Sequence, residues 1–175
     1  DAAFMQAVMV GIVNLVFTVT AILLIDKLGR RPLLIAGLAI ISFCMLLLAW
    51  AFSAASYTPG GELVGVNPVI ILIGILGFVA GFAISLGPVM WVLFSELFPN
   101  RIRGIAISFV GLINSSVSFL VQLVFPWELE NFGPSTTFLI YGIFAVIGLV
   151  FVFRTLPETK GRSLEELEAE LVSGK

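Results

Sequence analysis

The 175-residue chain is 59% hydrophobic and 11% charged, with Lys and Arg numbering 9 against 11 Asp and Glu, for a formal net charge of −2. Soluble domains carry about 25% charged residues, so this composition excludes one and predicts an integral membrane protein. There is no histidine, and no run of interleaved aromatics and arginines marks a nucleic-acid surface.

The chain opens at Asp1 and enters a hydrophobic run almost at once, with no signal-peptide pattern before it. It therefore reads as a piece of something longer. A membrane-crossing helix needs about 20 apolar residues. Five segments reach that length: 3–25, 33–52, 68–98, 105–125 and 136–153. The predicted fold is an all-α membrane bundle of five crossing helices (residues 1–156), followed by a cytoplasmic tail (157–175) ending in a short amphipathic helix.

The connections alternate in charge. The loop 26–32 holds Lys27, Arg30 and Arg31, and 99–104 holds Arg101 and Arg103. The tail holds Arg154, Lys160, Arg162 and Lys175. Between them, 53–67 carries only Glu62, while 126–135 carries Glu128 and Glu130 and no base. All the bases thus fall on one side, which the positive-inside rule makes cytoplasmic and which places Asp1 outside. Trp50, Tyr57 and Trp127 fall at the opposite interface, where amphipathic rings form a belt.

The third segment is too long for a straight crossing and contains Gly87-Pro88. Proline in a helix interior removes one backbone hydrogen bond and clashes with the carbonyl four residues back, here that of Ile84. A broken helix at membrane depth is tolerated where protein or a wet cavity satisfies the freed groups. Upstream of the break, Gly74, Gly77 and Gly81 form a smooth face suited to a close helix contact, and the lone Cys44 reads as core packing. Downstream stands Trp91, well inside the span.

Polar residues recur with helical spacing in two apolar segments. Asn114, Ser118 and Gln122 make one stripe, with Ser115 beside it, and Asn14 with Thr18 makes another. An amide among apolar groups needs partners, either on a neighbouring helix or in a wet cavity. A sugar presents an apolar C–H face and a rim of hydroxyls; Trp91 offers an indole for the first, and Asn14 and Asn114 offer amides for the second. In the tail, Ser163 and Glu166 form a capping box, and Leu164, Leu167 and Leu171 share a face. No metal-ligand cluster, phosphate loop or pair of carboxylates lies within the spans, so neither an enzyme nor a cofactor is expected.

Four motifs in register carry a resemblance: Asp26-Lys-Leu-Gly-Arg-Arg-Pro32, Gly87-Pro88-Val-Met-Trp91, Ser95-Glu96-Leu-Phe-Pro99-Asn-Arg-Ile-Arg103-Gly104, and Pro157-Glu158-Thr-Lys-Gly-Arg-Ser163. The set resembles the sugar porter family of the major facilitator superfamily over nearly the whole chain. The resemblance implies that the five spans match helices 8 to 12 of a twelve-helix carrier. It also implies sugar contacts from Trp91, Asn14 and Asn114, and a salt-bridge latch of Asp26, Arg30, Arg31, Glu96 and Arg103. Gly87 and Pro88 would be the flexible gate of helix 10. Met90 and Ser115 depart from the family, which often has proline and a second tryptophan at those positions. The implied partners are a monosaccharide (hexose or pentose), protons, the lipid bilayer of the plasma membrane and the missing N-terminal half of the carrier. A non-transporting sugar receptor on the same scaffold is the alternative; a drug-efflux carrier would lack the Pro157-Glu158-Thr159-Lys160-Gly161 motif.

Overall fold

The computed structural model describes residues 2–57 and 63–161. Among these, the chain is helical apart from one short ribbon. The elements are α1 (Ala2–Leu28), α2 (Arg30–Ser53), β1 (Ser56–Tyr57), β2 (Leu63–Val64), α3 (Pro68–Ile84), α4 (Pro88–Leu97) and α5 (Arg103–Thr155). The strands pair antiparallel, with Ser56 opposite Val64.

Local chemistry sets the boundaries. Lys27 stands in the last turn of α1, where a cation meets the negative end of the helix dipole. Gly29 then takes a φ of 96°, which L side chains avoid. Its N–H donates to the Ile25 carbonyl at 3.2 Å, and α2 begins at the next residue. At the start of α3, the Asn67 side chain accepts the Val69 N–H at 2.9 Å. Pro68 follows in the first turn, where a missing donor costs nothing.

Helix α2 is the spine. Leu34, Leu38, Ile41, Met45 and Leu48 are buried along it at spacings of three and four, so they share one face. Two cores form against it. Ile25, Leu33, Leu34, Val89 and Leu93 join α1, α2 and α4 at the edge that carries Lys27 and Arg30, called here the basic edge. Ile41, Met45 and Leu48 gather Phe52, Phe78, Phe138 and Tyr141 further along.

The glycine face of α3 packs on α2. A Cβ at Gly74 would lie 2.7 Å from Leu48, one at Gly77 would lie 2.6 Å from Cys44 Sγ, and one at Gly81 would lie 3.1 Å from the Gly37 carbonyl oxygen. Cys44 is buried in this contact. Small residues permit such approach, and in a membrane packing of this kind replaces the hydrophobic drive.

One connection differs from expectation. The segment 126–135, expected as a connection between two spans, is helical through Phe132 and prolongs α5 to 53 residues. The break instead sits at Gly133 (φ 77°, ψ 161°), just before Pro134. The Asn131 Nδ2 donates to the Trp127 carbonyl at 2.8 Å, and the Thr137 hydroxyl donates to the Gly133 carbonyl at 2.9 Å. Side chains thus supply donors near the two prolines. The arm 134–155 lies on α2: the Ser135 hydroxyl donates to the Ala49 carbonyl at 2.8 Å, and a Cβ at Gly142 would meet Leu46 at 2.9 Å. The arm 103–132 is largely exposed.

Among the described residues, four helical stretches are long and apolar enough to cross a membrane: Phe4–Leu28, Arg30–Ser53, Pro68–Leu97 and Arg103–Thr155. The protein is an integral membrane protein. The amphipathic helix expected at 163–171 lies outside the described residues.

Candidate functional site

Arg30 organises the basic edge. As the first residue of α2 it follows Gly29 directly, so its side chain leaves from a helix end rather than a helix face. Its Nε donates to both oxygens of Glu96 at 3.0 Å, and Nη2 donates to Glu96 Oε1 as well. Its Nη1 donates to the Ile25 carbonyl at 3.1 Å, a second donor to the oxygen that already accepts the Gly29 N–H. Asp26 Oδ1 lies 3.2 Å from Nη2. The Arg30 side chain is 12% exposed, that of Glu96 27% and that of Asp26 81%. Glu96 is therefore the principal partner, joined by charge-assisted, two-pronged hydrogen bonds. The watery pair with Asp26 contributes about 0–1 kcal/mol.

A second carboxylate, which the sequence reading left without a role, completes the edge. Gly29 has no side chain to cap α2, and its first N–H groups lack helical partners. Glu158 fills that place from beyond α5. Its Oε1 accepts the Arg30 N–H at 3.0 Å and the Lys160 N–H at 3.0 Å; its Oε2 accepts the Arg31 N–H at 3.1 Å. An anion here also meets the positive end of the α2 dipole. A Cβ on Gly29 would lie 2.6 Å from this carboxylate, so a side chain there would push Glu158 off the start of α2. Beside Glu158, the Thr159 hydroxyl donates to Glu96 Oε2 at 2.7 Å, and Lys160 Nζ donates to the Lys27 carbonyl. The segment 157–160 thus straps together α1, α2 and α4.

Two residues expected in the latch stand apart from Glu96. Arg31 Nη2 donates to the Phe153 carbonyl at 2.7 Å, and its guanidinium carbon lies 5.8 Å from the centre of the Phe153 ring. It ties α2 to the end of α5, because a residue one step along the helix points about 100° away from Arg30. Arg103 Nε donates to the Phe98 carbonyl at 3.3 Å and so braces its own connection.

The break expected at Gly87-Pro88 separates α3 from α4. The Gly87 N–H donates to the Phe82 carbonyl at 3.0 Å, the Val89 N–H to the Ser85 carbonyl at 3.0 Å, and the Ser85 hydroxyl to the Gly81 carbonyl at 2.6 Å. Ser85 is fully buried and lies directly against Gly37. One side of the break is thereby fixed on α2, and α4 begins on the other side at Pro88.

The polar stripes face outward. Asn14, Asn114, Ser115, Ser118 and Gln122 are all exposed. Thr18 Oγ1 donates to Asn14 Oδ1 at 3.3 Å, and Gln122 Nε2 donates to the Ser118 carbonyl at 3.3 Å, so these bonds stay within one helix. Asn114, Ser115, Ser118 and Gln122 line an open groove of about 550 Å³ with Phe119 and Leu123. A separate cavity of about 390 Å³ lies between α2, α3 and both arms of α5. It is lined by Ile41, Phe78, Phe125 and Tyr141 among others, and the Tyr141 hydroxyl already donates to Glu128 at 2.8 Å. It offers a hydroxylated ligand little, whereas the amide groove offers donors and acceptors.

Trp91 is 42% exposed on α4, with its ring edge-on to Phe94 at 6.2 Å. The benzo end of the indole reaches α5, where a Cβ on Gly111 would lie 3.7 Å from Cη2. Gly111 is three residues before Asn114, on the same helix face. Helix packing thus brings Trp91 onto the arm that carries Asn114. No sequence motif singles out Gly111, since the contact depends on how two helices meet.

A family model described as sugar (and other) transporter matches residues 1–171. The chain is 39% identical over 175 residues to the D-xylose-proton symporter of Escherichia coli (strain K12), covering 97% of this chain and 34% of that protein. It is 35% identical over 168 residues to the arabinose-proton symporter of Bacillus subtilis (strain 168), covering 96% and 34%. Among solved structures it matches the major facilitator superfamily proton:xylose symporter XylE bound to 6-bromo-6-deoxy-D-glucose, at TM-score 0.76 and 40% identity, covering 97% of this chain and 35% of that one. XylE is the xylose transporter of E. coli. The chain spans about a third of the length of the relatives it matches.

Proposed function

Because the chain belongs to the sugar (and other) transporter family, we propose that it forms the C-terminal third of a carrier that moves a monosaccharide across the plasma membrane by alternating access, coupled to protons. The broken α5 supplies two crossings. At about 1.5 Å per residue its 53 residues would extend about 80 Å, against a hydrocarbon core of about 30 Å. With α1, α2 and the broken α3–α4 pair, that makes five crossings, matching helices 8 to 12. The basic edge faces the cytoplasm and the N-terminus faces outside, in keeping with the positive-inside rule. The N-terminal half of the carrier supplies the facing wall of the site.

Trp91 stacks on the sugar ring, and Asn14 and Asn114 bond its hydroxyls. Arg30, Glu96 and Asp26 hold the cytoplasmic end of α4 against the α1–α2 junction in the outward-facing state, with Arg31 and Arg103 bracing the two flanking connections. The break at Gly87-Pro88 lets α4 swing when that hold releases. The observation that carries this reading is the seating of Trp91 on the same arm as an exposed amide groove, within a chain whose relatives are named for xylose and arabinose symport.

The test is uptake of labelled D-xylose, L-arabinose and D-glucose by proteoliposomes holding the full-length parent under an imposed proton gradient. The expected result is saturable uptake of at least one of them, lost when the gradient is dissipated. No uptake of any monosaccharide by folded parent would overturn the reading.

A further inference from the structure

From the contact between α4 and α5 we infer that Gly111 sets the position of the Trp91 indole and thereby the size of sugar the site accepts. The inference rests on the reading of Trp91 as a sugar contact and adds a residue that has no contact role of its own. The indole is held at two points. Phe94 meets it edge-on from the same helix, one turn away. On the other side the benzo end reaches the backbone of α5 at Gly111, with Cη2 at 3.7 Å and Cζ3 at 4.0 Å from where a Cβ would stand.

These distances make the size dependence specific. At 3.7 Å a methyl group is in ordinary van der Waals contact with the ring. Alanine therefore fits, while a branched or longer side chain occupies the volume of the benzo ring and pushes the indole off α5. Asn114 stands three residues along the same face, so the displacement changes the gap between the stacking surface and the amide. The adjacent Ser115, also exposed, adds no ring of its own next to Asn114. A hexose carries one more hydroxymethyl group than a pentose and is the first to feel a narrowed gap. Gly111 is thus a positioning residue acting through Trp91.

A double-mutant cycle in the full-length parent tests this, read as the half-saturating concentrations of D-glucose and D-xylose. Gly111→Ala is expected to stay within twofold of the parent. Gly111→Leu is expected to weaken binding at least tenfold, more for the hexose than for the pentose. In a Trp91→Ala background the same Gly111→Leu change is expected to cost less than twofold. If Gly111→Leu is not recovered as folded, monodisperse protein, Gly111→Val enters the same cycle. Equal losses with and without Trp91, or no loss from either large side chain, would overturn the inference while leaving Trp91 as a sugar contact. Unchanged affinity in Trp91→Ala alone would remove the sugar-contact reading itself, and this inference with it.

Discussion

The basic edge and the amide groove treat their polar groups in opposite ways. At the edge, Glu96 and Glu158 accept from the Arg30 guanidinium, the Thr159 hydroxyl and the backbone N–H groups of Arg30, Arg31 and Lys160, and these bonds join α2, α4 and the segment beyond α5. In the groove, Asn114 and Ser115 are exposed, and Gln122 reaches only its own helix. The edge is a finished network within this chain. In the proposed carrier the groove is one wall of a site whose other wall comes from outside this chain. Removing a member of the edge leaves a partly buried charge without its partner, so the loss appears as stability. Removing a groove amide strands nothing in the ground state, so the loss appears as ligand affinity alone.

Four substitutions in the full-length parent can break or sharpen this contrast. The largest stability effect is expected from Arg30→Ala, which leaves the partly buried Glu96 without its charged partner and with the Thr159 hydroxyl alone. About 2–4 kcal/mol is expected, because removing one partner of a buried pair costs about 3–5 kcal/mol and this pair is partly wet. A clear fall in the thermal unfolding midpoint checks it; an unchanged midpoint would show that the network is ornamental. Asn114→Ala is expected to weaken sugar binding about tenfold, or about 1.4 kcal/mol, with the unfolding midpoint unmoved. A midpoint that falls with it would mean that the amide holds helices together. Glu158→Ala removes the distant cap of α2 and is expected to cost about 1 kcal/mol of stability, the usual scale for a cap. Arg103→Ala is expected to cost under about 0.5 kcal/mol, because this side chain braces only its own connection.

The parts legible in the sequence are those written in local chemistry. Apolar run lengths gave the helices, Gly87-Pro88 marked the break, and the spacing of Asn114, Ser118 and Gln122 marked the stripe. Asp26, Arg30 and Glu96 could be grouped only through family motifs, since Arg30 and Glu96 are 66 residues apart. Glu158 was invisible as a cap because it acts on a helix start 127 and 128 residues away. The local signal was only a negative one, a glycine where a capping side chain would ordinarily stand. Arg31 reads as a twin of Arg30 in sequence, yet the turn of the helix sends it to Phe153. The run 126–132 carries the composition of a loop. Its helicity survives because Asn131 hydrogen-bonds back into it and Gly133 absorbs the bend.

The finished edge and the open groove are connected by α4, which is held by Glu96 at one end and by the Ser85–Gly87 break at the other. If the Glu96 hold exists only when the cytoplasmic side is closed, its energy enters the equilibrium between states directly. Glu96→Gln keeps the size of the side chain and removes the charge. A hold worth about 1.4 kcal/mol would shift the ratio of states about tenfold. The direct measurement is thiol labelling of a single cysteine, Ser118→Cys, in the full-length parent with Cys44→Ala and any cysteine outside this chain also replaced. A membrane-impermeant reagent is applied from the cytoplasmic side, with and without Glu96→Gln. Gating by the edge predicts a several-fold faster reaction from the cytoplasm in the Glu96→Gln protein and a slower one from outside. Equal rates on both faces, in protein that is still folded, would contradict it and leave Glu96 as a structural brace.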